Sequence, residues 1–166
     1  MTLEKPPSAE SFPKPTVELF NPATQKWSDV REDILELEKL CFGENAFDES
    51  SLEASFENPK SIVVTLNREK SIIGFSVGVP DRKDASAIHI YTIEIHPEEQ
   101  GNGYVASILN ALEEEARKRG YTFLTQHAMI ENGYADKISK NYHDAIVETH
   151  DRDSEYGPQR FFKIAL

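Results

Sequence analysis

Cysteine is almost absent from this chain of 166 residues: Cys41 is the only one, so no intramolecular disulfide can form. It sits in the apolar stretch LEKLCF, which favours a buried structural thiol over a nucleophile. Cationic charge is scarce as well, with 18 Lys and Arg against 29 Asp and Glu and a formal net charge of −11. Such a field repels a polyanion and argues against nucleic acid as a partner. No segment approaches the roughly 18 apolar residues that a membrane-spanning helix needs. The opening MTLEKPPSAESFPKPT lacks the apolar core of a secretory signal. A cytoplasmic protein with no membrane partner is the expectation. No internal repeat and no linker able to separate two domains is found.

What remains is an ordinary globular composition. Hydrophobic residues make up 39% and aromatics 10%, too much for a disordered chain. The start, with Pro6, Pro7, Pro13 and Pro15, reads as a flexible tail over residues 1–15. Residues 16–166 read as one domain, enough to bury roughly two-thirds of its unfolded surface. Strands are expected at 16–20, 61–67, 71–79, 86–95 and 121–128, with one or two more after the last helix, one of them at 159–166; the second and third are joined as a hairpin through REK. Helices are expected at 28–42, capped by Ser28, at 48–56, at 104–120 and at 133–145. The best of them runs from Tyr104: Val105, Ile108, Leu109, Leu112 and Ala116 keep one face, Arg117 to Arg119 complement the C-terminal dipole, and Gly120 can end it. This order predicts an α/β or α+β domain, a mixed sheet under helices, with a parallel strand pair between residues 86 and 128.

Between the strand at 86–95 and that helix lies IHPEEQGNGYVAS. A helix N-terminus leaves N–H groups unpaired and carries partial positive charge. Gly101 and Gly103 can take backbone angles closed to other residues and let a ligand come close. Backbone amides from Gly101 to Val105 could therefore hold a pyrophosphate, which would let an acidic protein bind an anion without a basic patch. Gly101, Gly103 and Ala106 also match the spacing of a dinucleotide fingerprint. That match fails on context, because HPEEQ separates the strand from the first glycine and YTFLTQHA offers no acid for a ribose.

The stretch Ile95-His96-Pro97 leading into Gln100-Gly101-Asn102-Gly103-Tyr104-Val105, with the strand before it and the helix and strand after it, resembles the GNAT superfamily of CoA-dependent N-acyltransferases. The family's turn reads R/Q-x-x-G-x-G/A. The resemblance spans about residues 16 to 166, and Val105 departs from it, standing where Gly or Ala is usual. The resemblance implies a mostly antiparallel mixed sheet with a central splayed parallel pair and flanking helices. It implies acetyl-CoA as co-substrate, no metal, and direct transfer of an acetyl group to a primary amine of a small molecule, peptide or protein. Ile93, Ile95, Gln100, Gly101, Asn102, Gly103, Tyr104 and Val105 would then bind the cofactor. The alternative is a non-catalytic acyl-CoA-binding sensor or interaction module, and a homodimer is left open.

The resemblance also points to a base on the strand AIHIYTIEI, six residues before Ile95, which is His89. A pKa near 6.5 suits that role. Glu94 is the rival. Strict alternation puts His89, Tyr91, Ile93 and Ile95 on one face and Ile88, Ile90, Thr92 and Glu94 on the other. The family's acid is a tyrosine in N-x-x-A-x-x-x-Y. In NGYADKISKNY, Asn132 and Ala135 fit the first half but leave Ser139 at the tyrosine position. A shifted register puts Tyr142 there and is favoured, although Tyr134, Ile138 and Tyr142 also make a stripe suited to core packing. Tyr91 and His127 are expected to line the acceptor cleft. DRDSEYG at 151–157 begins like a calcium loop but has Phe162 at its twelfth position, and the spacing of His143 and His150 suggests no zinc site.

Overall fold

A computed structural model describes residues 13–166. Pro6 and Pro7 of the expected tail lie outside the described residues. Seven strands form one sheet: β1 (Thr16–Leu19), β2 (Ile62–Arg68), β3 (Ser71–Pro80), β4 (Ala87–Ile95), β5 (Phe123–Met129), β6 (Ile146–Arg152) and β7 (Gln159–Ala165). Their spatial order is β1-β2-β3-β4-β5-β7-β6. Only β4 and β5 run parallel. The helices are α1 (Trp27–Phe42), α2 (Glu49–Glu57), α3 (Tyr104–Lys118) and α4 (Tyr134–Asn141). This is the mixed sheet with flanking helices and one parallel pair that the order of elements predicts, and mostly antiparallel as the resemblance implies. No helix among the described residues is long and apolar enough to cross a membrane.

Two apolar clusters cover the two faces of the sheet. One holds Trp27, Ile34, Leu37, Leu52, Phe56, Phe75 and Val77 beneath α1 and α2. The other holds Ile62, Val64, Ile88, Ile108, Leu112, Leu124 and Phe162 beneath α3 and α4. Side chains buried this fully each contribute about 1.5–3 kcal/mol. On the α3 face, β3 presents small residues. A Cβ on Gly74 would lie 2.7 Å from Ile95 Cδ1 and 2.9 Å from the Glu94 carbonyl oxygen, so this position has room for hydrogen alone.

Several local expectations are corrected. Ser28 does not cap α1: the helix starts one residue earlier, and Asp29 accepts a hydrogen bond from the Lys26 N–H (2.9 Å). The stop expected at Gly120 is met: the helix from Tyr104 ends in a Schellman pair, Tyr121 N–H to Ala116 O and Gly120 N–H to Arg117 O, both 3.0 Å, with Gly120 at φ 90°. The helix expected at 133–145 stops at Asn141, and residues 146–152 form β6, the second of the closing strands, an edge strand whose exposure hid its position from an apolar-pattern reading.

The correction that matters most for the site is in β4. The pairing with β3 shifts register between Val77 and Gly78, so Gly78 faces Ile90, Val77 faces Thr92, and Tyr91 bulges without a partner. Beyond the bulge the alternation inverts. Ile88, Ile90, Ile93 and Ile95 all pack into the α3-side cluster, while Tyr91 packs into the α1-side cluster. His89, Thr92 and Glu94 pair with Val79, Val77 and Phe75 of that α1-side cluster. Glu94 therefore shares His89's face, contrary to strict alternation.

Candidate active site

The turn before α3 is built for an open helix end. A short 3-10 turn over Pro97–Glu99 lifts the chain off β4, and the Gln100 Nε2 donates back to the Ile95 carbonyl (3.2 Å). Asn102 Nδ2 donates to the Glu99 carbonyl (3.0 Å). Gly101 and Gly103 sit at φ 85° and 77°, left-handed angles that favour glycine. Gly103 caps α3 with no side chain, and no acid occupies its first turn. By contrast, Asp29 serves the start of α1, and Asp48 accepts the Ser51 N–H at the start of α2. The positive end of α3 is left open to solvent beside two glycines, an arrangement suited to a pyrophosphate. Val105 packs against the core below the turn. Tyr104 accepts a hydrogen bond from Arg68 Nη2 (3.4 Å), and Arg68 also pairs with Glu99 at the edge of the turn.

Below the turn the central strands part. β4 and β5 pair only through Ala87–Phe123, Ile88–Leu124 and His89–Thr125, although both continue upward. Among the described residues, the edge of β4 from Ile90 to Ile95 has no strand on its β5 side. His89 stands at the root of this wedge. His127 of β5 lies beside it, ring centres 5.6 Å apart and edge-on. Phe161 of β7 follows at 5.3 Å from His127, and His150 of β6 stacks on Phe161 at 4.9 Å. Burial lowers the pKa of His89, against the pull of Asp81 and with the push of Arg152. Burial, aided by Arg152, takes His127 down to about 4. Both imidazoles are neutral at pH 7.

The profile of the acetyltransferase (GNAT) family matches residues 27–138, two-thirds of the chain. The chain belongs to the GNAT acetyltransferase family. No curated protein sequence matches it. Among solved structures it is similar to a ribosomal-protein-alanine N-acetyltransferase from Brucella melitensis, at 15% identity over 91% of this chain and 99% of that one, TM-score 0.67. The protein yncA from Salmonella typhimurium, solved with its cofactor acetyl-CoA, is 13% identical over 93% and 95% of the two chains, TM-score 0.70. Aminoglycoside 6'-acetyltransferase type Ii is 16% identical over 90% and 96%, TM-score 0.70. At these identities the likeness is one of fold.

Within this GNAT fold the other candidates are less free than His89. Glu94 is 3% exposed and faces Glu38 of α1, which is 1% exposed. Thr92 Oγ1 donates to Glu94 Oε1 (3.0 Å), and the Phe47 N–H donates to Glu38 Oε2 (3.1 Å). Each carboxyl keeps one buried oxygen without a hydrogen-bond partner among the described residues, and Glu38 acts directly on Glu94. Burial and Glu38 push Glu94 up to about 10, so it holds its proton at neutral pH and is not available there as a base. Cys41 donates to the Ile95 carbonyl (3.4 Å) and is raised to about 11 by burial and these two carboxyls, as befits a structural thiol. Tyr142 follows the last residue of α4 and donates to Glu113 Oε1 of α3 at 2.5 Å. Burial and that carboxylate hold its pKa well above the ordinary value. Tyr134, read as core stripe, keeps its buried hydroxyl without a hydrogen-bond partner among the described residues.

Tyr91 stacks on Phe47 from the segment between α1 and α2, ring centres 4.5 Å apart. The residues that sequence reasoning missed are Asp81, Thr125, Glu38, Phe47, Phe161 and His150. No motif carries them. Phe161 and His150 come into reach only because β7 and β6 extend the sheet beyond β5.

Proposed function

We propose that this GNAT-family chain transfers an acetyl group from acetyl-CoA directly to a primary amine. The observation that carries the reading is the open α3 N-terminus at Gly101–Tyr104, standing directly above a strand wedge with a neutral imidazole at its root. The fit to the cofactor rests on that geometry. Backbone N–H groups of Gly101 to Val105 would hold the pyrophosphate, with Gln100 and Asn102 bracing the turn. The unpaired β4 edge around Ile93 and Ile95 would hold the extended arm. When bound, acetyl-CoA supplies an activated thioester.

The chain's own residues then handle the proton and the approach. An amine of pKa about 10.4 is mostly protonated at pH 7, a handicap of roughly 4–5 kcal/mol. His89, neutral and at the wedge root, accepts the proton. Its depressed pKa places the acid limb of the rate below pH 6.5. Tyr91, Phe47 and His127 line the acceptor side. Orientation of the two reactants in the wedge can contribute about 7–11 kcal/mol. Tyr142 keeps its proton at neutral pH, as a donor to the leaving thiolate must, and donates it once its bond to Glu113 is exchanged.

The same Tyr142–Glu113 bond favours a second reading, a protein that binds acyl-CoA without catalysis. Calorimetric titration with acetyl-CoA and with CoA tests both. Micromolar binding supports the site, and thiol release with a panel of primary amines separates enzyme from sensor. Absence of binding at millimolar cofactor would overturn both readings.

A further inference from the structure

The contacts behind His89 carry an inference that rests on its proposed role as base and specifies how the imidazole is held. Thr125 Oγ1 lies 2.9 Å from His89 Nδ1 and 2.6 Å from Asp81 Oδ2. The other Asp81 oxygen, Oδ1, accepts the Lys83 N–H (2.8 Å) and the Asp84 N–H (3.2 Å). Both of its oxygens thus face donors, and these bonds, with the nearby imidazole, hold the carboxyl ionised below its ordinary value. A carboxylate has no proton to give. At 2.6 Å the Thr125 hydroxyl must therefore direct its single hydrogen at Asp81, since two bare oxygens at that distance would repel. Its oxygen is then an acceptor toward the ring, and the proton between Thr125 and His89 must sit on Nδ1.

We propose that Asp81 and Thr125 are positioning residues that lock His89 in its Nδ1–H tautomer, leaving Nε2 as the bare proton acceptor. Nε2 has no hydrogen-bond partner among the described residues, and the His89 side chain is 24% exposed at the wedge root. The charged and titratable groups facing the ring are Asp81 from the β3–β4 turn (4.0 Å from Nδ1), His127 from β5 and Arg152 from β6. Only Asp81 favours the imidazolium that forms when Nε2 takes a proton, because His127 is neutral and Arg152 opposes it. No proton leaves Thr125 or Asp81 in this step: Nε2 gains one, Nδ1 keeps its own, and the carboxylate remains a carboxylate. The β3–β4 turn thereby has a role that no family motif marks. Its own bonds hold it in place: Asp81 N–H also bonds the Ala87 carbonyl (3.0 Å), and Asp84 accepts from Ser86 and Lys163.

The test is long-range 1H–15N correlation on the full chain labelled with 15N-histidine, with His89 assigned by its absence in His89→Gln. Wild type above the His89 pKa should show a protonated Nδ1 and a bare Nε2. Thr125→Val should lose that tautomer, and Thr125→Ser should restore it. Asp81→Asn, which keeps the shape and removes the charge, should shift the His89 titration down by about one unit. A wild-type spectrum with the proton on Nε2 overturns the proposal, as does a tautomer and titration unmoved in both Thr125→Val and Asp81→Asn. The spectra need no cofactor or acceptor, so failure of acetyl-CoA to bind would sink the proposed function while leaving this outcome readable. The reverse holds equally: a wrong tautomer would refute the positioning role of Thr125 and Asp81 with cofactor binding intact.

Discussion

The buried carboxyl pair offers the sharpest quantitative test of the fold. Glu94 titrates at 4.5 when exposed and is pushed up to about 10 in the folded chain by burial and by Glu38. Between those values the folded protein holds a proton that the unfolded chain has released. Stability contributed by this proton is full below pH 4.5 and is lost as pH rises toward 10. Each pH unit costs about 1.4 kcal/mol, so about 3 kcal/mol is already lost at pH 7 and about 6 at pH 9. The two imidazoles change charge below pH 6.5, and Cys41 parts from its unfolded behaviour only above about 9. The interval from pH 7 to 9 therefore isolates Glu94. Glu94→Gln replaces the protonated carboxyl with a neutral amide that can still donate to the unpaired oxygen of Glu38. Urea unfolding at pH 7, 8 and 9 should show wild type losing about 3 kcal/mol across the interval more than the variant does. Parallel pH dependence in the two proteins would refute the account of a protonated Glu94.

Other perturbations probe the remaining parts. Gly103→Val forces a branched residue into φ 77° and removes the bare backbone approach, so it should abolish acetyl-CoA binding in calorimetry at a stability cost of about 1–2 kcal/mol. Retained binding would refute the pyrophosphate assignment. Tyr142→Phe leaves the buried Glu113 without its hydroxyl donor and should lower stability by about 1–3 kcal/mol. It should also cut turnover about ten- to ten-thousand-fold with acetyl-CoA affinity kept, and a stability loss with turnover unchanged would make Tyr142 a bridge between α3 and α4 only. Gly74→Ala drives a methyl into Ile95 and the Glu94 carbonyl and should destabilise by about 1–3 kcal/mol in denaturant unfolding. An unchanged midpoint would mean that β4 yields at that point.

Much of this protein was determined by local sequence. The apolar spacing of Ile108, Leu109, Leu112 and Ala116 and the stop at Gly120 specify α3, because helix periodicity and a left-handed cap are properties of near neighbours. The glycine turn, the parallel pair and the family were legible for the same reason. Residues 146–152 were not, since an exposed edge strand has no apolar alternation to betray it. What only the tertiary structure decided are relations between distant segments. The bulge at Tyr91 depends on register with β3 and turns Glu94 toward α1, inverting the face that alternation assigned. The proton state of Glu94 depends on Glu38, which lies 56 positions away in the chain. The pairing of His89 with Thr125 and Asp81 depends on where β4 and β5 separate. A residue's type and spacing determine what it can do locally, but its charge and its partner are decided by the groups that folding brings against it.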